Sequence, residues 1–176
     1  MKSNQKIKKV AKILNKNGVI ILPTDTVAGI CTKPGNEEGI RRIYDIKKRS
    51  MDKPLALLVP DIKSVWTWVE ETEQIKKRLK KEWPGATTFI LNTREEETIG
   101  VRMPDCKPVL KIMKLTGPLC ATSANVSGEN ASPGVTNVPR DIKNKVDMVV
   151  NFNQDYTGKP SRIIDLSGGE EKLIRN

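Results

Sequence analysis

The sequence predicts an α/β domain built on a mixed sheet with helices on at least one face. Three observations carry that expectation. Short apolar, β-branched runs alternate with amphipathic stretches early in the chain, and strand-like runs then crowd together towards the carboxy terminus. A length of 176 residues suits one domain with a substantial core, so 1–176 is read as a single unit. Hydrophobic residues make up 37% and charged ones 30%, the balance of an ordinary globular domain. No apolar run approaches the ~20 residues of a membrane span.

Apolar residues at 7, 10, 11, 13 and 14 give the first helix one buried face and leave lysines on the other. Asn17-Gly18 ends it. Val19-Ile-Ile-Leu22 reads as a short buried strand stopped by Pro23, with Thr24, Asp25 and Thr26 on its lip. Next, Asn36 caps a helix with Glu37 and Glu38 in its first turn and Ile40, Ile43 and Tyr44 as its buried stripe. That helix runs into Lys47-Lys48-Arg49. Residues 54–59 form the next strand, Asp61 opens a helix carrying Trp66 and Trp68, and a charged helix covers roughly 71–82.

Trp83-Pro84-Gly85 turns into a strand ending at Leu91, and residues 98–102 form another. A helix over 108–115 precedes a strand over 117–122, which delivers Ser123-Ala-Asn-Val-Ser-Gly128. Residues 129–138 read as loop, and 147–151, 162–166 and 172–175 as closing strands. There is no internal repeat or low-complexity tract.

Thirty-one basic and 21 acidic side chains leave a net charge of +10, which suits an anionic partner such as a nucleotide, RNA or an acidic protein. Solvated lysine-rich helices would account for the same number. There is no histidine. That removes Ser-His, Cys-His and His-metal chemistry, and it leaves acid–base work near neutrality without its usual carrier. Cys31, Cys106 and Cys120 are widely spaced and odd in number, so neither a disulfide framework nor a zinc motif is indicated. The lysine-rich start leads into an amphipathic pattern, not an apolar signal core, and a cytoplasmic protein is expected.

Five segments could carry chemistry. The Thr24-Asp25-Thr26 cluster offers fixed hydrogen-bond groups at a sheet edge, where a self-bonded polar turn is the plainer reading. Lys47 to Pro54 is a basic turn whose Arg49 and Lys53 could clamp a triphosphate, or simply face water. Gly85 permits close backbone approach, and Arg102 sits between apolar neighbours, where it needs an anionic partner or a structural ion pair. Thr122 to Gly128 supplies three hydroxyls and an amide after a buried strand, able to donate to phosphate or carboxylate oxygens. Neither a P-loop nor a dinucleotide glycine pattern is present. Ser161 to Asp165 and Arg175 complete the set.

These segments occur together and in order: Pro23 to Ile30, Lys47-x-Arg49 with Lys53-Pro54-Leu55, Trp83-Pro84-Gly85, Val101 to Pro104, Ser123-Ala124-Asn125 with Ser127-Gly128, and Ser161 to Asp165. Each is weak alone, but the ordered set resembles the YrdC-like threonylcarbamoyl-AMP synthases over nearly the whole chain. The resemblance implies a YrdC-like domain over 1–176, with a twisted mixed parallel/antiparallel sheet around a concave basic cavity. It implies a nucleotidyltransferase that joins L-threonine, bicarbonate (or carbon dioxide) and ATP into threonylcarbamoyl-AMP, releasing pyrophosphate. The product would feed the t6A modification of tRNA, with tRNA or the t6A transferase as a further partner and no membrane. Longer relatives add a carboxy-terminal domain, which this sequence is expected to lack.

Carried over residue by residue, Lys47, Arg49 and Ser123 would be catalytic. Thr26, Arg102, Thr122 and Ser161 would hold threonine, Arg102 pairing with its carboxylate and Thr24 supporting. Arg49, Lys53, Ser123, Ser132 and Arg175 would bind ATP, and Asn125 would shape the loop. Mg2+ would arrive with the phosphates, since no carboxylate cluster stands ready to fix it. A carbamate attacking an α-phosphate in line asks mainly for positioning and cationic stabilisation, which fits a chain without histidine.

This sequence departs from the family at three places. Ala28 replaces a usual aromatic, so one cavity wall is expected to be more open, and Ser50 and Ala86 each replace a common proline. Two other readings accompany the synthase. One is a YrdC-like paralogue that binds nucleotide or RNA without turnover or with another specificity. The other is a carbamoyl-transfer relative of this fold, which the length and cysteine spacing do not support. The few aromatic residues weigh against a pure RNA-stacking module.

Overall fold

A computed structural model describes residues 3–153, 155–168 and 170–176. Helix α1 (Ser3–Leu14) buries Ile7, Val10, Ala11 and Leu14, and the chain then enters β1 (Ile20–Leu22). Pro23 closes that strand. The chain turns through residues 24–27 and returns antiparallel as β2 (Gly29–Thr32), setting Leu22 opposite Gly29 and Ile20 opposite Cys31. No strand is expected at β2 from sequence, because four residues buried on both faces carry no alternation.

Helix α2 (Glu37–Lys47) starts at Asn36, whose side chain accepts the Gly39 N–H at 3.1 Å, and ends at Lys48 in the left-handed region (φ 47°). Strand β3 (Ala56–Leu58) follows. The helix expected to carry Trp66 and Trp68 is instead a 3₁₀ turn, Lys63–Thr67, burying only Val65; one inward position per turn cannot hold a longer helix to the core. Asp61 stands just before it, accepting from Ser64 N and Oγ at 2.9 Å each. Then come α3 (Glu73–Glu82), β4 (Thr87–Asn92), β5 (Thr98–Arg102), α4 (Lys107–Thr116) and β6 (Leu119–Ser123). The stretch read as loop contains a 3₁₀ turn, Val135–Asn137. Short α5 (Arg140–Lys143), β7 (Met148–Val149), β8 (Arg162–Asp165) and β9 (Lys172–Arg175) complete the chain.

All nine strands join one sheet in the order β7-β1-β2-β6-β3-β5-β4-β8-β9. Pairs β1/β7, β3/β5 and β4/β8 are parallel and the rest antiparallel, so the sheet is mixed as expected. Alternation along β1 divides the core. Ile20 and Leu22 pack with α1 and α4, whereas Ile21 packs with Ile43 and Ile46 of α2. A third cluster gathers Leu79, Trp83 and Phe89 under α3. Helices therefore cover both faces, and the middle strands end at a shared opening.

Candidate active site

The opening is a cavity of about 240 Å³, and its wall brings together Thr24, Thr26, Arg49, Arg102, Thr122, Ser123, Ser161 and Arg175. The floor is open because its residues are small. Ala56 of β3 lies in register with Ala121 of β6, and Gly29 of β2 with Ser123. Strands β5 and β6 deliver polar residues to the wall at their carboxy-terminal ends, Arg102 from the one and Thr122 and Ser123 from the other.

The turn after β1 is tightly wired. Thr24 Oγ1 donates to Val27 O at 2.8 Å and accepts from Thr26 N at 3.1 Å. The two threonine hydroxyls lie 2.9 Å apart, and because Thr24's single hydrogen goes to Val27, Thr26 is the donor between them. Arg102, at the end of β5, is 6% exposed. Its Nη1 donates to Thr26 Oγ1 (2.7 Å), its Nη2 to Asp25 Oδ1 (2.6 Å) and its Nε to Gly85 O (3.0 Å). A guanidinium has five N–H groups, so one on Nη1 and one on Nη2 remain for a ligand. Burial lowers the Arg102 pKa from its ordinary value, and Asp25 works in the opposite direction.

Across the cavity, Ser161 Oγ and Thr88 Oγ1 share a hydrogen bond at 2.9 Å. Arg175 from the edge strand donates through Nε and Nη2 to Ser161 O at 3.0 and 2.8 Å. Burial lowers the Arg175 pKa, with the Arg102 charge as the second cause. Arg49 completes the cationic wall, its Nε donating to Lys53 O (2.9 Å) and Nη2 to Pro54 O (3.3 Å). Three guanidiniums, Arg49, Arg102 and Arg175, line one small volume, and Asp25 offsets part of the Arg102 charge.

Four of the anticipated residues do not line the cavity. Lys47 is 1% exposed, and its ammonium donates to Ser123 O, to Asn125 O (2.7 Å) and weakly to Asn125 Oδ1 (3.4 Å). The Lys47 carbonyl in turn accepts the Ser127 N–H at 2.7 Å. Its charge sits beneath the loop, which it anchors at both ends. Burial, and then Arg49, bring the Lys47 pKa down to about 8. Asn125 donates to Val126 O (2.9 Å) and Glu129 O (2.8 Å), bracing the same loop. Ser132 is buried, donating to Ala124 O at 3.2 Å. Lys53 is exposed outside the wall, contributing its carbonyl to Arg49 and to Tyr44 OH.

Ala28 also differs from expectation. It is fully buried beneath the turn beside Ile21 and Ile30, so it opens no part of the wall. The sequence places Asp25 in a polar cluster without linking it to Arg102, whose anion it is, and gives no role to Thr88, the partner of Ser161. Thr88 faces the cavity through ordinary strand alternation, which its two-threonine context obscures. Among the described residues, no group of three or more His, Cys, Asp or Glu is placed to hold a metal ion.

Fold and cavity together define a class: a mixed-sheet domain whose cavity wall sets three arginines among hydroxyl side chains. The family model Sua5_yciO_yrdC, described as telomere recombination, matches residues 12–176, and the chain belongs to that family. A Methanocaldococcus jannaschii protein provisionally named as a threonylcarbamoyl-AMP synthase is 33% identical over 178 residues, spanning 95% of this chain and 84% of its own. The threonylcarbamoyl-AMP synthase of Pseudomonas entomophila is 29% identical, with 97% of each chain covered. The crystal structure of Pyrococcus abyssi Sua5 complexed with L-threonine superposes with a TM-score of 0.90 at 27% identity, over 97% of this chain. The chain spans about half, 54%, of that longer protein.

Proposed function

We propose that this chain is an L-threonylcarbamoyladenylate synthase, a nucleotidyltransferase acting on L-threonine, bicarbonate-derived carbon dioxide and ATP. The observation that carries the reading is the buried Arg102 fork. Its two spare N–H groups match the two oxygens of an α-carboxylate, and Thr26 and Ser161 supply hydroxyls around it. The P. abyssi relative bound to L-threonine supports the same ligand. A cavity of 240 Å³ suits an amino acid, and ATP would extend from it along the turn bearing Arg49.

In this reading the threonine amine adds to carbon dioxide and loses a proton, giving a carbamate. A carbamate oxygen attacks the α-phosphorus of ATP as the bond to the α,β-bridging oxygen breaks, and pyrophosphate leaves with its electron pair. Arg49 and Arg175 stabilise the charge that shifts onto the phosphates, while Ser123 and Thr122 orient the carbamate between the substrates. Mg2+ enters as part of the nucleotide substrate. The product would be handed on for tRNA t6A formation. The work belongs in the cytoplasm, a reducing setting that three free cysteines suit.

The alternative, a YrdC-like paralogue that binds nucleotide or RNA without turnover or with another specificity, has one observation in its favour: Lys47 and Lys53 stand off the cavity wall. Mass spectrometry separates the two. Carbon-13 bicarbonate, threonine and MgATP should yield a threonylcarbamoyl adenylate heavier by one label. Nucleotide binding without that adduct would leave the paralogue.

A further inference from the structure

Strand β9 carries one of the cavity's three arginines yet buries none of its four residues, and Leu173 and Ile174 belong to none of the core clusters. It ends the sheet, so β8 is its one neighbour. That pairing is irregular. Asp165 faces Lys172 and Ile164 faces Leu173, but Ile163 faces Arg175, which leaves Ile174 over as a bulge. The bulge decides what reaches the site. Ile163 lines the cavity, and residues directly opposite each other share a face of the sheet. Regular pairing would set Ile174 opposite Ile163 and turn Arg175 to the other face.

Within the described residues 170–176, only Glu171 and Arg175 make side-chain hydrogen bonds or ion pairs. Glu171 stands directly before β9 and receives a two-pronged fork from Arg78 of α3, Nε to Oε2 at 2.7 Å and Nη2 to Oε1 at 3.0 Å. Arg78 is itself held in place. Its Nη1 donates to Glu82 Oε1 at 2.9 Å, and its guanidinium lies 5.2 Å from the centre of the buried Phe89 ring. Glu82 also accepts from Thr87 Oγ1 at 2.9 Å and from Arg162 Nη2 at 2.7 Å, so one network ties both β8 and β9 to α3. A half-exposed pair adds little to global stability, but a bidentate fork from a fixed arginine sets geometry.

We propose that the Arg78–Glu171 fork is a latch that holds β9 in its bulged register, which makes both residues positioning residues for Arg175. The role rests on the synthase reading, in which Arg175 contacts the phosphates of ATP. With the latch closed, Arg175 Nε and Nη2 hold Ser161 O, and Nη1, which makes no hydrogen bond among the described residues, keeps its N–H groups for phosphate oxygens. With the latch open, the strand slips to the regular register, Ile174 takes the place opposite Ile163, and the cavity loses a cation.

Hydrogen exchange of the unliganded protein, read by mass spectrometry, tests the latch, and calorimetric titration with MgATP tests its consequence. Glu171→Gln should speed exchange of the β9 amides about threefold, the scale of an exposed ion pair, and Glu171→Lys at least about tenfold. Glu171→Lys should weaken ATP binding about fivefold, as the competent fraction falls to roughly a fifth, although it adds a positive charge. Combined with Arg175→Ala it should bind ATP no more weakly than Arg175→Ala alone. Deleting Ile174 from the Glu171→Lys chain removes the bulge, keeps an arginine opposite Ile163, and should restore ATP affinity. Arg42→Gln breaks an exposed ion pair elsewhere, with Asp147, and should change neither readout. Thermal midpoints of the Glu171 variants should shift by no more than about 4 °C. Wild-type β9 exchange in Glu171→Lys, or no rescue by the deletion, would overturn the latch and leave the synthase reading standing. An unchanged ATP Kd in Arg175→Ala would instead take Arg175 off the nucleotide, and the positioning role with it.

Discussion

Asp25 Oδ1 lies 2.6 Å from Arg102 Nη2, and this is the most buried ion pair among the described residues, with side chains 14% and 7% exposed. Asp25 does not line the cavity; it stands behind the guanidinium and aims it. Asp25→Asn should therefore leave a buried cation without its anion, lowering stability by about 3 kcal/mol and raising the KM for threonine. Chemical denaturation and threonine titration check both. Stability loss with an unchanged KM would make the pair purely structural.

Lys47 carries a different signature. Lys47→Met keeps the stem and removes the donors to Ser123 O and Asn125 O, so the loop beside the cavity loses its anchor. Removing a buried charge offsets part of the stability loss, so kcat should fall at least about tenfold, or ~1.4 kcal/mol, with a modest change in folding. The pH dependence has two opposite arms. Between about 8 and 10.5 the unfolded chain holds the Lys47 proton and the folded chain does not, so this residue's contribution makes stability rise with pH. Activity should fall over the same range as the ammonium gives up one of its three hydrogens. Parallel rise or parallel fall of the two curves would contradict the assignment.

Arg49 bridges the turn and the cavity. Its truncation to alanine should weaken ATP binding by ~2–4 kcal/mol, the scale of removing a charge-assisted hydrogen bond in a desolvated site. Threonine binding measured without nucleotide should barely move. Calorimetric titration of each ligand separates the two, and an unchanged ATP Kd in a folded variant removes Arg49 from the nucleotide.

Substrate choice follows from the hydroxyls of Thr26, Thr122 and Ser161 around one fork. A site built to hydrogen-bond a substrate hydroxyl strands its own polar groups against an analogue lacking one. Turnover should rank threonine, then serine, then valine. The serine penalty should be near ~1 kcal/mol for a missing methyl, with valine much slower. Valine matching threonine would mean the hydroxyl is not read.

The sequence exposes much of this site because its signals are local. Pro23 ends a run of β-branched residues, Asn36 announces a helix start, and an arginine flanked by Val101 and Met103 needs an anion. Strands β5 and β9 have the expected boundaries for the same reason. Strand β2 stays hidden because Gly-Ile-Cys-Thr is buried on both faces and therefore shows no period. The order of nine strands depends on long-range pairing that no local window contains. Lys47 illustrates the limit best. A lysine beside Lys48 and Arg49 reads as one more cation for a phosphate, yet its position on the inner face of α2 drives it under the loop. Asp25 is the converse: its turn is visible in the sequence, but its partner lies 77 residues away.

In the proposed reaction, Arg102 and Arg49 bring threonine and ATP into one cavity for a bicarbonate-dependent adenylyl transfer. Pyrophosphate release from MgATP measures this most directly. Release is expected only when threonine and bicarbonate are both present, and it should vanish in Arg102→Ala and Arg49→Ala. Release that ignores threonine or bicarbonate, or no release from folded protein that still binds ATP, would contradict the synthase.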